Sequence, residues 1–81
     1  MVKVAIWGSL AAATDGAREV EIDAKNLREL IDGLAECYPA MRPQLKRGVT
    51  VAIDGRNYND SWFQPISPES EVVLLPRIVG G

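Results

Sequence analysis

At 81 residues, 47% of them hydrophobic, the chain is one small domain that folds alone around a thin core. A net charge of −2 argues against a nucleic-acid binder held by phosphate contacts, and no apolar run approaches the roughly 18 residues of a membrane span. Histidine is absent and Cys37 is the only cysteine, which excludes an internal disulfide and removes most routes to a zinc site, a Cys-His nucleophile or a Ser-His-Asp triad. The expectation is a cytoplasmic protein with no metal, no bound cofactor and no catalytic machinery of its own. Its first residues agree: Lys3 is followed by only a short apolar stretch before Gly8-Ser9, which is no signal-peptide pattern.

Val2, Val4 and Ile6 alternate with Lys3, Ala5 and Trp7, the period of a half-buried strand that ends at Gly8-Ser9. Residues 9–17 are small and polar and read as a loop containing the Asp15-Gly16 turn. Alternation resumes from Arg18 to Asp23, with Val20 and Ile22 on one face, so the first two strands form a hairpin. Asn26 caps a helix, and Glu29 three residues on completes an Asn variant of the capping box. Leu27, Leu30, Ile31, Leu34, Ala35 and Tyr38 make one apolar stripe over about three turns. Gly33 inside the stripe costs about 1 kcal/mol against Ala and is explained by close approach of helix to sheet. Pro39 ends the helix, and Met41, Pro43 and Leu45 suggest a single-turn segment.

Val49, Val51 and Ile53 give a third strand, closed by the Asp54-Gly55 turn and a short return over Arg56-Asn57-Tyr58. Asn59-Asp60-Ser61 and Ser67-Pro68-Glu69-Ser70 are turns, and Trp62-Phe63 brings two aromatics back onto the domain. Glu71 to Leu75 is the last strand, apolar at both parities, with Val72 and Leu74 opposed to Val73 and Leu75. The order reads as α+β: a mixed sheet of four to five strands over one main helix, with only one face covered. Residues 1–75 form the domain; Pro76 interrupts pairing and 76–81 form an extended tail of at most about 20 Å.

The uncovered face should carry Trp7, Ala5 and Ala52 with one apolar pair of the last strand, a surface of the kind that marks a partner site. The alternative is that residues 56–66, with Trp62 and Phe63, fold over Trp7. The tail Pro76-Arg77-Ile78-Val79-Gly80-Gly81 contains no acidic residue. Chance gives a terminal Gly-Gly in about one chain in two hundred, and two residues without a Cβ can thread a narrow slot. A terminal carboxyl is unreactive until activated, for example as an acyl-adenylate. The bland alternative is a frayed terminus. Cys37 is expected to be a partly buried, inert thiol, and Arg42, Lys46 and Arg47 a solvated basic cluster with the alternative of meeting an acidic partner.

Four segments together resemble the ubiquitin-like β-grasp sulfur carriers of the MoaD/ThiS type, which include the small subunit of molybdopterin synthase. They are Val2-Lys3-Val4-Ala5-Ile6-Trp7-Gly8, the helix from Leu27 through Tyr38-Pro39, Val51-Ala52-Ile53-Asp54-Gly55, and Glu71 to Pro76 before the Gly-Gly end. The resemblance implies a carrier that is a co-substrate rather than an enzyme. A ubiquitin-activating-like partner, using ATP and Mg, adenylates Gly81. A sulfur donor then converts that terminus to a thiocarboxylate, which delivers sulfur inside an acceptor resembling the molybdopterin synthase large subunit. It further implies that Trp7, Val73 and Leu75 face the partner, while Pro76, Arg77, Ile78, Val79 and Gly80 bind in its channel. Arg77 would pair there with a carboxylate. Two other readings share the same residues: a ubiquitin-like protein modifier using the same terminus, and a non-catalytic binding module in which the tail is irrelevant.

Overall fold

The computed structural model describes residues 1–59 and 61–77. Five strands form one sheet: β1 (Val2–Ile6), β2 (Glu19–Ile22), β3 (Val49–Ile53), β4 (Arg56–Tyr58) and β5 (Val72–Pro76). Their spatial order is β2-β1-β5-β3-β4. β5 is parallel to β1, and the other pairs are antiparallel. Helix α1 (Leu27–Cys37) crosses one face, followed by a 3₁₀ turn at Pro39–Met41 and the short helix α2 (Arg42–Arg47). This is the β-grasp architecture, with the expected single main helix and with all five strands present.

Register explains why the alternation of apolar residues suffices to build the core. Val20, Val4, Val72 and Ile53 lie side by side across four strands, and Ile6, Leu74, Val51 and Tyr58 form the next inward row. Leu27, Leu30 and Leu34 of α1 and Met41 close over them, each fully buried. Each fully buried aliphatic side chain contributes about 1.5–3 kcal/mol, so these rows supply most of what holds an 81-residue chain together.

The start of α1 is tied down twice. Asn26 Oδ1 accepts the Glu29 amide at 2.9 Å, the expected cap, while the Glu29 carboxylate reaches back to the Lys25 amide at 3.0 Å rather than to that of Asn26. The free amides of Leu27 and Arg28 donate to the carbonyls of Gln64 and Trp62, both at 3.0 Å. Four N-terminal amides have no partner inside any helix; here the loop after β4 supplies two of the acceptors. Ile66 is buried beside this junction and its amide donates to the Lys25 carbonyl.

Three expectations change. Residues 9–17 are not an irregular loop: Gly8–Thr14 form a 3₁₀ helix that buries Leu10 completely, and the Thr14 hydroxyl donates to the carbonyls of Ala11 and Ala17. Its three alanines carry no periodic pattern, which is why composition alone reads as loop. Strand pairing does not stop at Leu75, because Pro76 still stands opposite Val49. Cys37 is exposed rather than partly buried; it is the last residue of α1, where the helix ends.

Gly33 sits where a Cβ would come within 2.7 Å of Ile22 Cγ2 on β2, so helix and sheet are in contact through a missing side chain. Gly33→Ala regains about 0.8–1 kcal/mol of helix propensity but overpacks this contact at a cost of about 1–3 kcal/mol. Urea denaturation should therefore show a net loss of about 1 kcal/mol; a gain would mean that α1 has slack against β2.

Candidate functional site

The sheet face away from α1 is built by the outward parity of the same strands. Across it run Glu19, Ala5, Val73, Ala52 and Asn57, in that order by register, and Leu75 pairs with Thr50 in the next row. Val73 and Leu75 are half-buried, as are Ala5 and Ala52. Trp7 continues β1 with extended backbone (φ −115°, ψ 153°), and its amide donates to the Leu74 carbonyl at 3.0 Å. That pairing holds Trp7 on the Ala5 side of the sheet, next to Leu75, where it is 58% exposed.

The loop carrying Trp62 and Phe63 does not cover Trp7. Its carbonyls are spent on the α1 amides, which holds it at the start of the helix. Trp7, Val73 and Leu75 are thus brought together on one open surface, with β5 in the parity that the resemblance implied and that periodicity left open. A recess of 420 Å³ opens on that surface over Ala5 and Val73, and another of 430 Å³ lies at the end of β1, between Trp7, Ala11 and Arg18. Thr50 is the exception on this face: it is buried, and its hydroxyl donates to Asn59 Oδ1 at 2.7 Å.

The tail leaves from the centre of the sheet, between β1 and β3, and its root is fixed by two glycines that sequence reasoning did not assign to it. Gly8 has φ +65°, and a Cβ there would stand 3.2 Å from Pro76 Cγ. Gly48 has φ +110° and ψ 140°, and a Cβ would stand 2.9 Å from Arg77 Nη1. The signal was present, since one glycine follows the strand that flanks β5 on one side and the other precedes the strand that flanks it on the other. Pro76 and Arg77 are both exposed. Ile78, Val79, Gly80 and Gly81 lie outside the described residues.

Among the described residues no group of three or more His, Cys, Asp and Glu is placed to hold a metal ion, and no helix is long and apolar enough to cross a membrane. A side chain as large as Trp7, exposed beside two branched apolar residues, is the composition of an interface anchor.

A family model described as the ThiS family matches residues 4–81. No curated protein matches the sequence significantly. Among solved structures, a chain of the Amycolatopsis orientalis BexX/CysO complex superposes with a TM-score of 0.78 at 20% identity, covering 100% of each chain. Mycobacterium tuberculosis CysO gives 0.78 at 19% identity over 96% of this chain and 100% of the other. The small archaeal modifier protein 1 of Methanosarcina acetivorans gives 0.76 at 21% identity over 99% and 95%. At these identities the likeness establishes the shared fold.

The two glycine contacts give a test of how the tail root is held. Gly48 occupies a backbone region that is essentially restricted to glycine, so Gly48→Ala should cost about 1–3 kcal/mol and displace Arg77 as well. Gly16→Ala is the comparison, because Gly16 also has positive φ (+84°) but nothing lies within 4 Å of its missing Cβ. Denaturation should show a loss in both variants, while amide exchange at the Val49–Pro76 end of the sheet should quicken only in Gly48→Ala. Equal exchange in the two would deny Gly48 a role at the tail root.

Proposed function

The chain belongs to the ThiS family, small sulfur carriers that are worked on by enzymes and are not themselves catalysts, and from that premise we propose that the carboxyl of Gly81 is its reactive group. A ubiquitin-activating-like partner adenylates it: a carboxylate oxygen attacks the α-phosphorus of ATP, with Mg in the partner's site, and pyrophosphate leaves. A sulfur donor at the oxidation level of sulfide then attacks the acyl carbon. The bond to the AMP oxygen breaks, AMP leaves, and a thiocarboxylate remains. That sulfur is delivered to an acceptor enzyme in cofactor biosynthesis, of the molybdopterin synthase large-subunit class.

The observation that carries this reading is that the family match runs through Gly80-Gly81, beyond the last residue of the sheet. The fold supplies the complement. An open apolar face with Trp7, Val73 and Leu75 lies beside the strand that launches the tail, so docking there and inserting the residues after Pro76 are compatible in one complex. The five residues 77–81 reach at most about 18 Å, enough to enter a channel whose mouth sits against that face. The reaction would take place in the cytoplasm, where ATP is available, and the carrier itself would need no bound metal or cofactor.

A second reading uses the same activated terminus to acylate lysines of other proteins. It is favoured by the structural likeness to small archaeal modifier proteins. The two are separated by what becomes of the acyl group.

Co-expression with an adenylating enzyme and a sulfur source should raise the intact mass of a chain confirmed to end at Gly81 by the difference between sulfur and oxygen. Deleting Gly81 should abolish the gain. Adducts that survive thiol reduction and leave a Gly-Gly remnant on lysine would favour the modifier reading, and neither product in the presence of an enzyme that adenylates the chain would contradict both.

A further inference from the structure

A second surface borders the tail root on the helix-bearing side of the sheet. Ile31 of α1, Leu45 of α2 and Trp62 wall a groove of 110 Å³, edged by Lys46, Arg47 and Arg77. Trp62 is 39% exposed, yet its backbone is fixed because its carbonyl accepts the Arg28 amide at 3.0 Å. The indole lines the groove from that fixed backbone position. Lys46 and Arg47 are both exposed in the last turn of α2. They suit a helix C-terminus, but a six-residue helix needs no pair of cations beside a third. No acidic side chain among the described residues lines the groove, in a chain whose net charge is −2.

Size and charge together restrict the occupant. The groove is smaller than the roughly 300–1,000 Å³ of small-molecule sites, and a wider recess of 390 Å³ that shares Arg47, Gly48, Val49 and Arg77 adjoins it. One apolar side chain is of a size to enter it. Nucleic acid is disfavoured because three cations release few counterions. Position adds the third argument. Arg77 edges the groove and directly follows Pro76, the last residue of β5, so a protein that engages the tail passes beside the groove.

We propose that this groove grips the rim of the enzyme channel that receives the tail. One apolar side chain of that enzyme enters between Ile31, Leu45 and Trp62, and carboxylates flanking it pair with Lys46 and Arg47. The sheet face and the groove then hold the tail root from two sides of the sheet. The proposal rests on the carrier reading above.

The test measures pyrophosphate release by the adenylating enzyme against concentration of the full chain, at several salt concentrations. The Lys46→Glu/Arg47→Glu variant should raise KM about tenfold, with kcat unchanged, and lose most of the salt dependence of the wild type. Trp62→Ala should raise KM with the salt dependence retained. Lys46→Ala/Arg47→Ala, a milder change on exposed positions, should fall between wild type and the charge reversal, which keeps the test valid if the reversal disturbs folding. Unchanged KM and salt dependence in all variants, with active wild type, overturns the groove and leaves the carrier reading intact. A fall in kcat at constant KM overturns it as well. So does competition by an oligothymidine that the charge reversal abolishes, because that assigns the groove to nucleic acid. No turnover of the wild type overturns the carrier reading, and the proposal with it.

Discussion

β5 is paired on both sides, parallel to β1 and antiparallel to β3, and its side chains alternate between two apolar environments. Val72 and Leu74 fill the core under α1, whereas Val73 and Leu75 lie on the open face. A strand in the middle of a sheet cannot be released without losing two ladders of hydrogen bonds and a row of buried side chains. β5 is therefore anchored on both sides, as β1 and β3 are, and the tail root at Pro76 is held at a fixed point. Everything assigned to the tail depends on that placement, because a terminus leaving from an edge strand would fray together with its root.

The open face follows from the same constraint. A single helix can cover one side of five strands, so the outward parity of β1, β5 and β3 must either be polar or find a partner. Here it is Ala5, Val73 and Ala52 in one row, with Leu75 and Trp7 beyond. Small residues on either side of Val73 keep the surface shallow there, and Trp7 projects from it at the end nearest the tail root. The loop that might have covered it is committed elsewhere, since the carbonyls of Trp62 and Gln64 satisfy the first amides of α1. One set of backbone hydrogen bonds thus finishes the helix, leaves the sheet face open and presents Trp62 at the second surface.

What the sequence made legible was whatever rests on period and capping. The alternation in Val2–Ile6 and Val49–Ile53, the stripe from Leu27 to Leu34, the Asn26 cap and the Asp54-Gly55 turn each have a local cause, and each stands where expected. The parity of β5 was not legible from period, because both of its faces are apolar; resemblance to a family chose it correctly. The 3₁₀ helix at Gly8–Thr14 was missed because Ala11-Ala12-Ala13 has no amphipathic signal and its order comes from tertiary burial of Leu10. Gly8 and Gly48 were missed as supports of the tail for a different reason. A glycine in sequence announces only conformational freedom, and what it approaches, here Pro76 and Arg77, is a fact of three dimensions.

On the proposed carrier reading, the domain contributes position and binding, and the chemistry is left to one carboxyl group. The most direct measurement of that claim follows the oxygen atoms. A chain carrying a heavy oxygen isotope in the carboxyl of Gly81 is turned over with ATP, an adenylating enzyme and a sulfur donor, and the released AMP is weighed. Activation of that carboxyl predicts one labelled oxygen in AMP for each chain converted, because the acyl–oxygen bond is the one that breaks. AMP formed without label would contradict the account, since ATP would then be cleaved without Gly81 taking part.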